Sequence, residues 1–238
     1  MLRSRFDDHL SRKLFHAFAG SVIAYGFVSV FSRLEAFAAV FVLFVASLPF
    51  ELGRLVWPRL NALVLRVMGP LMRENEIKEP SAQLYYLLGL MFSILFLPRV
   101  LAIQAILILA WMDPVAGLVG VRYGRRSWSE VLSAFLIDGR KMPIDFGGKT
   151  LEGSFAGFCA AFAAGTVAWT GPWATYAMGA DQAWPSAWIV FWFSLVGGIV
   201  AVIAEAWPSQ WDDNAKIPFW CGIALYALST VWGLPLSY

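Results

Sequence analysis

Apolar runs of about 18 residues or more recur along this chain, and that feature leaves few folds open. A bilayer core about 30 Å thick is crossed by roughly 20 helical residues, and a span must satisfy its own backbone hydrogen bonds. Runs of this length therefore predict membrane-spanning helices. Composition agrees: of 238 residues, 59% are hydrophobic and only 14% charged, less charge than a soluble domain needs on its surface. Spans are expected at about 14–31, 34–50, 84–98, 100–121, 151–170, 187–206 and 217–235. The fold class expected is all-α, a polytopic integral membrane helix bundle of about seven transmembrane helices. It forms one domain over 1–238. The first run, from Leu14, leads into further spans without a small-residue cleavage site, so it reads as a retained span rather than a signal peptide.

Basic residues orient such a bundle. With the N-terminus cytoplasmic, Arg3, Arg5, Arg12 and Lys13 lie inside. Arg54, Arg59, Arg66, Arg73 and Lys78 do too, as do Arg122, Arg125, Arg126, Arg140, Lys141, Lys149 and Lys216. Only Arg33 and Arg99 of the 18 lysines and arginines fall outside. The C-terminus is then outside. In the connection 51–83, Leu60, Leu63, Val64, Val67, Met68 and Leu71 recur at helical spacing, while Arg59, Arg66 and Arg73 mark another face. This predicts an amphipathic interfacial helix on the cytoplasmic leaflet. Cys159 and Cys221 lie in apolar runs and read as small buried thiols. The two histidines, His9 and His16, show no metal-ligand spacing.

This orientation gathers most of the polar residues at span ends on one side. Charges at membrane depth are costly and read as functional. In "WMDPVAGLVGVRYG", Asp113 precedes Pro114, which predicts a break or kink, with Asp113 as a cap. Gly117, Gly120 and Gly124 then clear one helix face. No basic residue lies one turn from Asp113 within its span, so a divalent cation is one solution for a partner. In "FGGKTLEGSFAG" the Gly-Lys-Thr is not a phosphate-binding loop of the Walker type, because position 143 is Pro and no strand precedes it. A glycine pair, Lys149 and Thr150 at a helix start still suit phosphate. In "GGIVAVIAEAWPSQWDDNAKIP", a small-residue face leads to Glu205, Pro208 ends the span, and Asp212, Asp213 and Asn214 precede Pro218, expected to start the next helix. Carboxylate oxygens of this kind suit Mg²⁺, which binds a few of them alongside water and substrate phosphates. Acids for a cation, donors for phosphate and a lipid-facing bundle are the parts of phosphoryl transfer to a membrane alcohol.

The motifs carry a resemblance. "RKLFHAFAG" (12–20), "RENE" (73–76), "YYLLG" (85–89), "DPVAGLVGVRYG" (113–124), "GKTLEGSFAGF" (148–158) and "EAWPSQWDDNAKIP" (205–218) run in order over nearly the whole chain. Together they resemble the CTP-dependent polyprenol kinase family: dolichol, phytol and farnesol kinases, and the CTP-dependent diacylglycerol kinase. Asp113, Lys149, Glu152, Glu205, Asp212, Asp213 and Asn214 fall where that family's polar motif residues fall. The connection "RRSWSEVLSAFLIDGRKMPIDF" looks longer than is usual there. The resemblance implies CTP as donor and in-line transfer of its γ-phosphoryl group to a lipid hydroxyl. It implies Asp113, Asp212 and Asp213 as Mg²⁺ ligands, with Glu205 as a further ligand or a support. Lys149 would act on nucleotide phosphate. The phosphate- and nucleotide-binding set is completed by Arg12, Lys13, His16, Gly148, Thr150, Glu152, Asn214 and Lys216. Arg73 and Glu76 would pair with each other or contact nucleotide.

The partners expected are CTP, a lipid alcohol and the bilayer, with no nucleic acid; no oligomeric state follows from the sequence. The acceptor class spans phytol, farnesol, dolichol or another polyprenol, and diacylglycerol. The chief rival is cytidylyl transfer of the phosphatidate cytidylyltransferase kind, which releases pyrophosphate instead of CDP. A cation-coupled transporter is a second rival, but it needs polar groups through the whole membrane depth. Here the outer halves of the spans are apolar, and Asp181 is the sole acid between the fifth and sixth. A scaffold is a third rival, and it needs no oxygen ligands gathered on one side.

Overall fold

A computed structural model describes residues 5–69, 72, 75–134, 146–170, 174, 185–234 and 236. Their elements are helices: α1 (Arg5–Ser29), α2 (Arg33–Val56), α3 (Pro58–Met68), α4 (Ala82–Phe96), α5 (Arg99–Tyr123), α6 (Trp128–Ala134), α7 (Leu151–Trp169), α8 (Ala187–Ala206) and α9 (Asp213–Val231). No strand occurs among the described residues; one isolated bridge joins Ser127 to Thr150. Four helices, α2, α5, α7 and α8, are long and apolar enough to cross a membrane. At 15 residues, α4 is apolar but shorter. Large side chains on the outer surface are apolar, among them Val42, Phe155, Trp188 and Val231. Such a surface suits lipid rather than water, and the chain is a membrane protein.

Local sequence sets the helix ends. Ser32 and Glu35 form a reciprocal capping box at the start of α2. Thr150, Ser186 and Asp212 cap α7, α8 and α9 by accepting backbone N–H bonds. These caps satisfy donors that the first helical turn leaves open. The bundle is built around α5, whose apolar stretch is 78% buried, against 17% for the peripheral α2. Far from the charged end, the buried Gln104 carboxamide accepts from Trp169 Nε1 (2.7 Å) and donates to the Phe193 carbonyl (2.8 Å), pinning α5 to α7 and α8.

Two helix boundaries differ from expectation. The break at Asp113–Pro114 is absent, since α5 runs through Pro114 to Tyr123. Buried neighbours on both sides, Met112 and Ala116, hold the helix where proline alone would favour a break. Pro218 does not start the last helix; it lies inside α9, which begins at Asp213 because Asp212 supplies the cap. Cys221 is buried as expected, whereas Cys159 is exposed on the outer surface. The amphipathic helix expected over 51–83 is α3, which has no buried residue and lies against the end of α2. Leu71 and Arg73, part of that expectation, lie outside the described residues, as do Arg140, Lys141 and Asp181.

Candidate active site

One end of the bundle carries the acids and lysines. Lys149, just before α7, stands between two carboxylates, with Nζ 3.1 Å from Glu205 Oε1 and 2.8 Å from Asp213 Oδ2. It also donates to the Glu205 backbone carbonyl. Burial works against the Lys149 ammonium, but the Asp213 and Glu205 charges outweigh it and hold its pKa above the ordinary lysine value. Lys149 is therefore a fixed cation at neutral pH. On the other side of Asp213, Lys216 Nζ lies 2.8 Å from Oδ1 and donates to the Trp207 carbonyl at 2.8 Å. The second oxygen of Glu205, Oε2, is buried without a hydrogen-bond partner. An uncompensated carboxylate oxygen beside a cavity is a vacancy for a donor or cation.

Two clefts meet at this cluster and share Gly147, Lys149, Glu205 and Asp213. The larger, about 500 Å³, is walled also by Tyr85, Trp207, Trp211 and Asp212. The smaller, about 420 Å³, adds Arg12, Lys13, His16, Asp113, Gly148 and Thr150. Volumes of this size suit a small-molecule ligand. The turn at Gly147 and Gly148 has positive φ at both residues, +62° and +71°, a conformation that glycine adopts without a steric penalty. This turn delivers Lys149 into the clefts. Lys13 reaches across α5 to donate to the Asp113 carbonyl at 3.1 Å. Gly117 makes that crossing possible, because a Cβ there would stand 1.9 Å from Lys13 Nζ. The basic neighbour missing within the Asp113 span thus comes from α1.

Of the predicted site residues, Arg12, Lys13, His16, Asp113, Gly148, Lys149, Thr150, Glu205 and Asp213 line one cleft. Asp212 and Lys216 line the adjoining one. Two others have different surroundings. Glu152 accepts from the Arg125 and Arg126 backbone N–H groups at 3.1 and 3.4 Å, fastening that loop rather than facing the clefts. Asn214 is buried and donates to the Ala82 carbonyl at 3.1 Å, tying α9 to α4. The open helix start expected for phosphate is also partly used. Leu151 N–H donates to the Arg126 carbonyl, and Gly153 N–H to Thr150 Oγ1.

The four proposed metal ligands are not gathered into a cage. Among the described residues, no three His, Cys, Asp or Glu stand close enough together to hold a metal ion. Both Asp213 oxygens are engaged by lysines, and Asp212 Oδ1 accepts from Asn214 N–H at 2.9 Å. Asp113 and Glu205 both line the smaller cleft, and Glu205 keeps an unpartnered oxygen there. One or two carboxylates plus substrate phosphates is the usual Mg²⁺ environment, so the residues fit a cation that arrives with a nucleotide.

A second charged cluster escaped the sequence reading. Arg54 is fully buried and donates to both oxygens of Glu51 (3.0 and 2.7 Å) and to the Glu76 and Glu79 carbonyls (2.7 Å each). Glu51 also accepts from Ser81 N–H at 2.9 Å. The cluster fastens the 76–81 segment beneath the site. Glu76 in turn faces Arg12 at 3.7 Å, while Arg73, its expected partner, lies outside the described residues.

The chain is similar to known proteins over most of its length. The chain is 29% identical over 223 residues to CTP-dependent diacylglycerol kinase 1 of Saccharomyces cerevisiae, covering 88% of this chain and 69% of that protein. With CTP-dependent diacylglycerol kinase 1 of Schizosaccharomyces pombe it shares 29% over 189 residues, 78% of this chain and 77% of that one. The protein of that name from Eremothecium gossypii is 29% identical over 236 residues, covering 91% and 66%. No family model and no solved structure matches the chain. The resemblance first drawn from short motifs therefore extends along most of the sequence, to CTP-dependent lipid kinases.

Proposed function

We propose that this protein is a CTP-dependent lipid kinase that transfers the γ-phosphoryl group of CTP to the hydroxyl of a membrane lipid alcohol. The observation that carries the reading is the Lys149–Glu205–Asp213 cluster at the junction of two clefts, next to Lys13 and Asp113. The diacylglycerol kinases it resembles make diacylglycerol the first acceptor to test, ahead of phytol, farnesol and the polyprenols.

In this reading the nucleotide lies along the joined clefts. Its base goes toward the aromatic walls at Tyr85 and Trp207, which offer stacking surfaces. Its phosphates go to Lys149 and Lys13, with Arg12 at the edge. Asp113 and Glu205 would hold Mg²⁺, which supplies charge neutralisation of the transferring group. Asp213 and Lys216 are positioning residues: Asp213 holds Lys149, and Lys216 holds Asp213 from its other oxygen. Fixed donors of this kind stabilise developing charge without reorganising during the reaction. The seven-span arrangement belongs to the same proposal, with N-terminus and site cytoplasmic and C-terminus outside. It is supported by the ends of the helices: Arg33 and Arg99, the two basic residues assigned outside, both approach Phe27 (5.9 and 5.1 Å) at the end away from Lys149. All the described helices except α3 and α6 share one apolar core, which supports a single domain.

The test is product analysis with purified protein, CTP or ATP, Mg²⁺ and a panel of lipid alcohols. The expected products are CDP and a lipid monophosphate, formed with CTP in preference to ATP. Release of pyrophosphate with a CDP-lipid would replace this reading by cytidylyl transfer.

A further inference from the structure

A third cleft, of about 320 Å³, opens between α1, α2, α3 and α4. Its outer walls are apolar, from Phe15, Leu43, Val64 and Met68. Polar side chains also line it, among them Arg12, His16, Glu51, Glu76, Ser81 and Tyr86. Arg12 and His16 also line the smaller nucleotide cleft, so the two spaces share a wall. Polar atoms of its lining on Tyr86, His16 and Ser81 are buried without a hydrogen-bond partner. Tyr86 is 9% exposed and its hydroxyl is buried without a partner; His16 Nε2 is buried without one too. The two rings pack edge to face, 4.7 Å between centroids. Buried hydroxyls and imidazole nitrogens are normally hydrogen-bonded. Such groups left open in a cleft that also has apolar walls describe a ligand with a greasy body and a small polar head.

The apolar wall faces the right solvent. α3 lies against the end of α2 with no buried residue of its own. Its amphipathic pattern suits a helix at the level of lipid headgroups. Val64 and Met68, one helical turn apart, turn toward the cleft, while Leu63 and Val67 are exposed. Lipid chains can therefore enter from the bilayer under α3 without crossing water.

We propose that this cleft is the acceptor site: it takes the head end of a lipid alcohol, with the hydroxyl hydrogen-bonded between Tyr86 and His16 and the chains leaving past Val64 and Met68 into the bilayer. The inference rests on the lipid-kinase reading for the identity of its occupant. It places the hydroxyl on the wall shared with the Asp113 cleft, where a γ-phosphoryl group would be held. Tyr86 and His16 here position the acceptor.

The test uses the full-length protein in nanodiscs and a diacylglycerol bearing a photoreactive diazirine near the glycerol end of one chain. Adducts are expected on α1 and α3, around Phe15, Val64 and Met68, suppressed by excess unlabelled diacylglycerol. In parallel, Met68→Trp and Tyr86→Phe should each raise the apparent KM for diacylglycerol about tenfold while leaving the KM for CTP unchanged. Labelling needs no variant, so a folding defect in either substitution leaves the result readable. Adducts confined to the apolar groove of Val200, Ile203 and Trp220 between α8 and α9, or no adduct in the proposed cleft, would overturn the assignment. Competable adducts in the cleft without phosphate transfer from CTP would sustain the lipid site and defeat the kinase reading instead.

Discussion

Two cations stand at the same end of this bundle, and their surroundings differ. Arg54 is closed off: its side chain is fully buried, both Glu51 oxygens face it, and two backbone carbonyls accept further N–H bonds from it. Lys149 is open: a quarter of its side chain is exposed, two clefts meet on it, and its partner Glu205 keeps an unpaired buried oxygen. A closed cluster has nothing left to offer a ligand, so it serves the fold. An open one keeps unmet electrostatic capacity next to space, which is what a catalytic site requires. The contrast separates structural from functional charge without reference to residue type.

Substitutions should divide along that line. The largest functional effect is expected for Lys149→Ala. Loss of a preorganised donor costs about 10²–10³ in rate, so transfer from CTP should fall at least a hundredfold in protein that still folds in detergent. Asp113→Asn and Asp213→Asn should likewise abolish turnover in folded protein, and near-normal activity in two of these three variants would remove the site. The largest structural effect is expected for Arg54→Met. It leaves Glu51 buried and unpaired, a change that costs about 3–5 kcal/mol, measurable as a lowered thermal midpoint that Glu51→Gln partly restores.

Gly117→Ala tests the crossing of Lys13. The added methyl must displace the ammonium from the Asp113 carbonyl, so the KM for CTP should rise several-fold with little loss of stability. The pH dependence sharpens the contrast further. The folded-state pKa of Lys149 lies above its ordinary value of 10.5. Its stabilising contribution is thus complete below 10.5 and is lost as pH rises through the raised value. The stability difference between wild type and Lys149→Met should therefore stay constant from about pH 7 to 9. A steady decline across that window would show that Lys149 is not held as a cation. The smallest effect is expected for Glu152→Gln. Among the described residues its carboxylate bonds the 125–126 loop end, so activity should change by no more than about twofold, the range of ordinary surface substitutions.

Much of this arrangement was legible in the sequence, for identifiable reasons. The long helices follow from run length, and the meeting of Asp113, Lys149, Glu205 and Asp213 follows from their one-sided placement. The Arg54 cluster was not legible, because Glu51 and Arg54 at a spacing of three look like any surface pair. Only the fold supplies the Glu76 and Glu79 carbonyls that close it. The separate tasks of Glu152 and Asn214 were hidden for a related reason: both sit inside motif strings, and a string does not record which way each side chain turns. Pro114 and Pro218 misled because proline disfavours helix locally, whereas packing around α5 and the Asp212 cap on α9 decide otherwise here. Tyr86 gave no signal at all in "YYLLG", since an unmet hydroxyl can be seen only beside a cavity.

The most direct measurement follows radiolabel from CTP carrying ³²P at the γ position, in nanodiscs containing diacylglycerol, for wild type and Lys149→Ala side by side. The account predicts label in the extracted lipid and CDP in the aqueous phase for wild type, with less than a hundredth of that transfer for the folded variant. Label recovered as pyrophosphate, or a Lys149→Ala protein that phosphorylates lipid at near the normal rate, would contradict it.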